Sequence, residues 1–191
     1  MQVTILVYDG VYLLDFCGPL EVFYDTMIDE KPAFEVILVA PTLNVIKSHT
    51  HTVIMPDFSI ENAPQPDVLV IPGGDLAIGK SNPNVGQWIL ETSRNAKITM
   101  SVCTGAFILA DLGMLDGLKA TTWFGALGAL QKKYPSIQVI KDHRITDNGA
   151  IITTAGVSAG IDGALYVVSK LINLETAKKT AQFIEYSWIQ A

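Results

Sequence analysis

Short apolar runs rich in β-branched residues alternate along the chain with stretches whose apolar positions recur at helical spacing. Val3–Tyr8, Phe34–Ala40, Asp67–Ile71 and the run opening at Ile98 read as strands. Leu20, Phe23, Tyr24 and Met27 predict a helix from about Gly18 to Met27, with Pro19 in its first turn. Further helices are expected over Pro83–Asn95, with Asn82 as N-cap, and over Ala106–Leu112. Three more are expected over Trp123–Tyr134, Gly156–Leu171 and Glu175–Ser187. Val45–Ile46 with His51–Met55 suggests a small exposed hairpin, and Ala120–Thr122 a short strand. A second hairpin, Arg144–Asp147 with Ala150–Thr154, turns at Asn148-Gly149 after the short run Val139-Ile140. Strands alternating with helices predict an α/β three-layer sandwich with a mostly parallel central sheet. The carboxyl ends of the central strands then share one crevice.

With 191 residues, the chain suits a single domain spanning 1–191. Apolar residues make up 49 % and charged residues 17 %, which argues against disorder. Thirteen Lys and Arg against nineteen Asp and Glu give a net charge of −6, with no basic run. Binding to a phosphate backbone needs clustered positive charge, so nucleic acid is not an expected partner. No apolar run is long enough for a membrane span, and the N-terminus leads straight into a strand without signal-peptide features. Two cysteines cannot build a disulfide framework, and a reducing cytoplasm is expected.

The chemistry concentrates at predicted strand ends. Cys103, followed by Thr104 and Gly105, falls on a strand-to-helix turn. Such an elbow pushes a nucleophile into the crevice, where the following helix N-terminus is expected to stabilise a thiolate. A buried structural thiol is the plainer alternative. Asp15 follows the first strand, either as the N-cap of the next helix or as a carboxyl group facing Cys103. Glu21 suits the first turn of that helix, facing its dipole, and Cys17 suits packing. Gly73 and Gly74 follow a central strand, as an oxyanion-type pair of amides or as an ordinary turn. Gly156, opening Gly156-Val157-Ser158-Ala159-Gly160, would let a helix N-terminus approach a ligand. His49 and His51 share a face at period two, but nothing nearby completes a metal site, and a solvated pair is expected.

Five pieces together carry a resemblance: Leu14-Asp15-Phe16-Cys17-Gly18-Pro19, Ile71-Pro72-Gly73-Gly74, Ser101-Val102-Cys103-Thr104-Gly105-Ala106, Ala120-Thr121-Thr122 and the segment Thr154–Asp162. In this order they resemble the ThiJ/PfpI superfamily and, within it, the isonitrile hydratase branch. The resemblance implies a flavodoxin-like fold, usually a homodimer, acting on a small molecule without metal or organic cofactor. It implies Cys103 as nucleophile, Asp15 as general acid and base, and Thr104 as their partner. Where the hydratase pattern has His then Trp after Thr121-Thr122, Trp123 and Phe124 stand here, which makes the pocket more apolar and places Trp123 against the substrate. In the peptidase-like branch a His follows the nucleophile; Thr104 holds that place, and none of His49, His51 and His143 adjoins a motif. A Cys-His couple for amide hydrolysis is therefore not expected.

Cysteine and aspartate alone suit thiol addition to an isonitrile carbon. The thioimidate would take up water and release an N-substituted formamide. Two alternatives stand beside this reading. One is a redox sensor or small-molecule-binding module, as in regulators where this domain precedes a helix-turn-helix region, although this sequence runs to Ala191 without a basic segment. The other is a glyoxalase-type enzyme.

Overall fold

The computed structural model describes residues 1–75 and 82–188. Its strands are, in chain order, β1 (Gln2–Leu6), β2 (Met27–Ile28), β3 (Lys31–Pro32), β4 (Glu35–Ala40), β5 (Ile46–Lys47), β6 (Val53–Ile54) and β7 (Phe58–Ser59). They continue as β8 (Val68–Ile71), β9 (Ile98–Ser101), β10 (Lys119–Ala120), β11 (Gln138–Val139), β12 (Ile145–Asp147) and β13 (Ile151–Thr154). The helices are α1 (Leu13–Tyr24), α2 (Pro83–Asn95), α3 (Gly105–Asp111), α4 (Leu127–Lys133), α5 (Ala159–Leu171) and α6 (Leu174–Phe183).

Seven strands form the central sheet in the order β12-β13-β9-β8-β1-β4-β7. Every pairing is parallel except β12 with β13. Helices cover both faces: α1, α5 and α6 stack on one side, and α3 packs against β8 and β9. This is the α/β sandwich expected from the alternation, with the flavodoxin-like fold that the resemblance implies. From Val3 to Leu6 and from Val68 to Ile71 every side chain is fully buried. Strands with a neighbour on each edge and helices over each face are mostly apolar, hence runs without polar alternation in which Thr4 is the one polar side chain. Each fully buried branched side chain contributes about 2 kcal/mol, which makes the sheet centre the stiff support for the loops at its carboxyl edge. Among the described residues no helix is long and apolar enough to cross a membrane.

Several boundaries differ from expectation. Helix α1 begins at Leu13 instead of Gly18, so Pro19 lies inside it and Asp15 sits in its first turn. Pro marks a helix start only when nothing upstream is held; here Asp15 and Phe16 are buried, and that packing outweighs the local signal. The expected helix at 123–134 divides into a 3-10 turn, Phe124–Ala126, and α4. The last helix ends at Phe183. Strand β11 pairs in parallel with β10, outside the central sheet.

Candidate active site

The sheet order reverses direction around β1, since β4 lies on one side of it and β8 on the other. Ligand crevices of open parallel sheets form at such switch points. Four connections leave the carboxyl edge there: residues 7–12 after β1, 72–75 after β8, 102–104 after β9 and 155–158 after β13.

Cys103 takes the left-handed backbone region, with φ +57°. For a non-glycine residue this conformation costs about 1–2 kcal/mol and persists only where its surroundings hold it. The hold is visible on both sides of the residue. Cys103 N–H donates to the Ala155 carbonyl at 3.0 Å, and Thr122 Oγ1 donates to the Cys103 carbonyl at 2.6 Å. Gly105, at the start of α3, lies so close to β8 that a Cβ there would run into the Ile71 carbonyl oxygen. Gly105→Ala is expected to cost about 3 kcal/mol or more in urea denaturation, because the atom it meets is backbone and cannot swing aside.

Asp15 is fully buried below the elbow. It does not cap α1. Its Oδ2 accepts from Gly73 N–H at 3.0 Å and its Oδ1 from Val157 N–H at 3.2 Å, tying α1 to two of the four connections. Cys103 is its remaining neighbour, since the thiol and this carboxyl group act on each other's titration. Burial raises the Asp15 pKa from 3.8 to about 6, against the lowering effect of the two amides and the thiol. Burial, followed by the negative charge of Asp15, pushes the Cys103 thiol up to about 12, while the amides of Thr104 and Val157 pull it down. Burial and the neighbouring carboxyl group thus work against the expected helix-stabilised thiolate, because taking a thiolate out of water next to a carboxylate opposes the pull of one short helix.

Val157 also has a positive φ, +56°, a rare state for a β-branched residue. The turn is held from the side. Arg144 Nε donates to buried Asp162 at 2.6 Å and Arg144 Nη2 to Ser158 Oγ at 3.2 Å, while Ala155 N–H donates to the Arg144 carbonyl at 2.8 Å. Tyr186, beyond α6, donates to the same Asp162.

A cavity of about 480 Å³ opens above the sulfur. Cys103, Thr104, Gly74 and Trp123 line it, as do Tyr12, His49, Asp75 and Val157. Gly73 and Gly156 stand behind it. The expected oxyanion role of the Gly73-Gly74 pair does not fit, since Gly73 N–H is bonded to Asp15 and Gly74 N–H donates to Thr104 Oγ1 at 3.1 Å. These amides orient site side chains instead. Gly156 makes room for Trp123, whose Cδ1 would lie 2.7 Å from a Cβ there. Cys17 is half-buried in α1 with its thiol raised by burial, and Glu21 is exposed on the same helix. Neither lines the cavity.

His49 and His51 are both exposed, as expected of a solvated pair, but His49 also lines the crevice. The β5–β6 hairpin folds back over the crevice and lays the His49 ring on Tyr12, with centroids 3.8 Å apart and planes at 12°. Nothing in the local sequence signals this, because the bonds that bring the hairpin back join it to residues 9–11. Lys47 N–H donates to Asp9 Oδ1 at 2.8 Å, Gly10 N–H to the Lys47 carbonyl at 2.8 Å, and His49 N–H to the Val11 carbonyl at 3.0 Å. Among the described residues no cluster of His, Cys, Asp and Glu has the geometry of a metal site.

A cysteine on a strained elbow at the switch point of a parallel sheet, beside a buried carboxyl group, defines an α/β protein with a thiol-carboxyl site. The chain belongs to the DJ-1/PfpI family, whose profile it matches over residues 1–170. It is 30 % identical to the isonitrile hydratase of Pseudomonas putida over 191 residues, covering 98 % of this chain and 79 % of that one. A THiJ/PfpI family protein from Pseudomonas syringae superimposes with a TM-score of 0.86 at 29 % identity, over 97 % of this chain and 75 % of the other. DJ-1beta of Drosophila melanogaster shares the fold, with a TM-score of 0.84 at 18 % identity over 98 % of each chain. A helix-turn-helix transcriptional regulator of Pseudomonas aeruginosa is 32 % identical over 114 residues, 60 % of this chain and 34 % of the regulator.

Proposed function

We propose that the protein hydrates isonitriles to N-substituted formamides, with Cys103 as nucleophile and Asp15 moving the protons. The observation that carries this reading is the cysteine elbow opening into the cavity beside a fully buried carboxyl group, Asp15, whose pKa burial raises to about 6. An isonitrile carbon must gain a proton and a nucleophile at one atom. Asp15 accepts the thiol proton and delivers it to that carbon as the sulfur attacks, giving a thioimidate with a carbon–nitrogen double bond. A carboxyl group whose pKa lies near 6 can both take and return a proton at neutral pH. Water then adds to the carbon and, through Asp15, its proton passes to nitrogen. Collapse of the adduct sends the hydroxyl proton by way of Asp15 to the departing sulfur, releasing formamide and the thiol.

The amide of Thr104, which lowers the thiol pKa, steadies negative charge on the sulfur during attack and departure, while the Val157 amide holds Asp15. Thr104 Oγ1, bonded to Gly74 N–H, borders the reacting carbon. Trp123 offers an apolar wall for the substituent, and no Lys or Arg is among the described lining residues. An uncharged, apolar substrate suits this lining; an anionic one would meet Asp15 and Asp75. Similarity to an isonitrile hydratase at 30 % identity points the same way.

The test is a substrate panel of alkyl and cyclohexyl isonitriles, methylglyoxal and simple amides, with products followed by proton NMR. Formamide from the isonitriles, without lactate from methylglyoxal, is the expected result. Lactate without formamide, or no product at all, overturns the reading.

A further inference from the structure

His49 is mounted like a working residue. Its hairpin is fastened to the loop after β1 by the main-chain bonds given above. Ser48, buried beneath it, closes the hairpin turn: its Oγ pairs with Thr50 Oγ1 at 2.9 Å and accepts from Thr52 N–H at 3.1 Å. The ring is stacked on Tyr12. Its Nδ1 accepts the Leu13 N–H at 3.2 Å. Leu13 opens α1 two residues before Asp15, so the helix that carries the carboxyl group also sets the angle of the imidazole. A ring nitrogen that accepts an amide N–H carries no proton, which leaves the ring proton on Nε2. Among the described residues nothing bonds to Nε2. The ring borders the same cavity as Cys103 and Thr104.

We infer that His49 donates a hydrogen bond from Nε2, as a neutral imidazole, to the substrate nitrogen while water adds to the thioimidate. This rests on the isonitrile reading and supplies what that reading lacks. As water attacks the carbon, an electron pair withdraws from the carbon–nitrogen double bond onto nitrogen. Asp15 is then occupied in taking the proton from water, the Val157 amide is bonded to Asp15, and the Thr104 amide acts on the sulfur. A neutral imidazole holding N–H towards the developing charge fills that place without giving up its proton, which nitrogen receives from water by way of Asp15. Addition of the thiol to the isonitrile carbon needs no such donor, so the second half of the reaction is the one that depends on His49.

Two amide side chains separate this role from simple fastening of α1. In His49→Asn the side-chain oxygen can replace Nδ1 and keep the Leu13 bond, but the Nε2 donor is lost. In His49→Gln the longer amide can replace the Nε2 donor and leaves Leu13 unmatched. His49→Asn is expected to lower kcat about 100-fold. Quench and intact-mass measurement should show Cys103 carrying the added mass of one isonitrile during turnover, while its alkylation rate with iodoacetamide stays at the unaltered value. His49→Gln is expected to keep kcat within about tenfold of the unaltered protein. Unchanged kcat in His49→Asn overturns the inference, as does an equal or larger loss in His49→Gln, which would assign His49 to fastening the helix. Formamide production by the unaltered protein with no effect of His49→Asn leaves the hydratase reading standing and removes His49 alone; no formamide from the unaltered protein removes both.

Discussion

Cys103→Gly is expected to yield a protein that is more stable than Cys103→Ala and equally inert. At an ordinary position Gly is worse than Ala by roughly 0.5–1 kcal/mol, because the unfolded chain gains freedom. At φ +57° the order reverses, since Ala retains the left-handed strain of about 1–2 kcal/mol and Gly does not. Urea denaturation should place the Gly variant about 1 kcal/mol above the Ala variant. Both should lose formamide production by at least about 10⁴-fold, the scale on which nucleophile deletions act. A Gly variant less stable than the Ala variant would mean that the elbow holds no strain. Turnover surviving in either would take the sulfur out of the chemistry.

Asp15→Asn carries the next largest effect, and it acts on turnover and stability in opposite directions. Loss of a group that moves every proton in the cycle is expected to lower turnover about 10³-fold at pH 7. In the unaltered protein activity should fall as the carboxylate is protonated, to about one tenth at pH 5, given the pKa of about 6. No compensating rise is expected between pH 7 and 9, because the thiol sits at about 12 and does not ionise there.

For stability, the raised pKa means that the folded protein binds this proton more tightly than the unfolded chain does. Between about pH 4 and 6, unfolding therefore releases a proton through this group, and its contribution to stability falls as pH rises. The change, from 3.8 to about 6, amounts to about 3 kcal/mol, fully present as a cost above pH 6. Asn carries no charge at any of these pH values. The stability difference between Asp15→Asn and the unaltered protein should therefore move by about 3 kcal/mol in favour of the variant from pH 4 to pH 7, as read by urea denaturation at each pH. A difference that does not vary with pH would show that the carboxyl group is not strained by burial.

Much of the site is legible along the chain because much of it is local. Ser101-Val102-Cys103-Thr104-Gly105 places a thiol on a tight turn, and only glycine fits against β8 two residues later. Asp15 and the Gly73-Gly74 step follow apolar runs, and the carboxyl ends of adjacent parallel strands lie together in any right-handed α/β sheet. What each group does there is less legible. Asp15 could also be read as a helix cap; its actual partners, Gly73 and Val157, are 58 and 142 residues away. The glycine amides read as free donors, and only their distances reveal that Asp15 and Thr104 already occupy them.

The sequence by itself determined the alternation of strands and helices, the sheet they build and the loops that meet at its carboxyl edge. Hydrophobic period and short right-handed connections leave few other arrangements. Only the tertiary structure decided where α1 begins, that the Asp15 carboxyl group is buried beside the thiol, and that His49 lines the same cavity as Cys103. Those outcomes depend on burial and on hydrogen bonds between distant segments, which shift by kcal/mol over fractions of an ångström and leave no periodic trace in the order of residues.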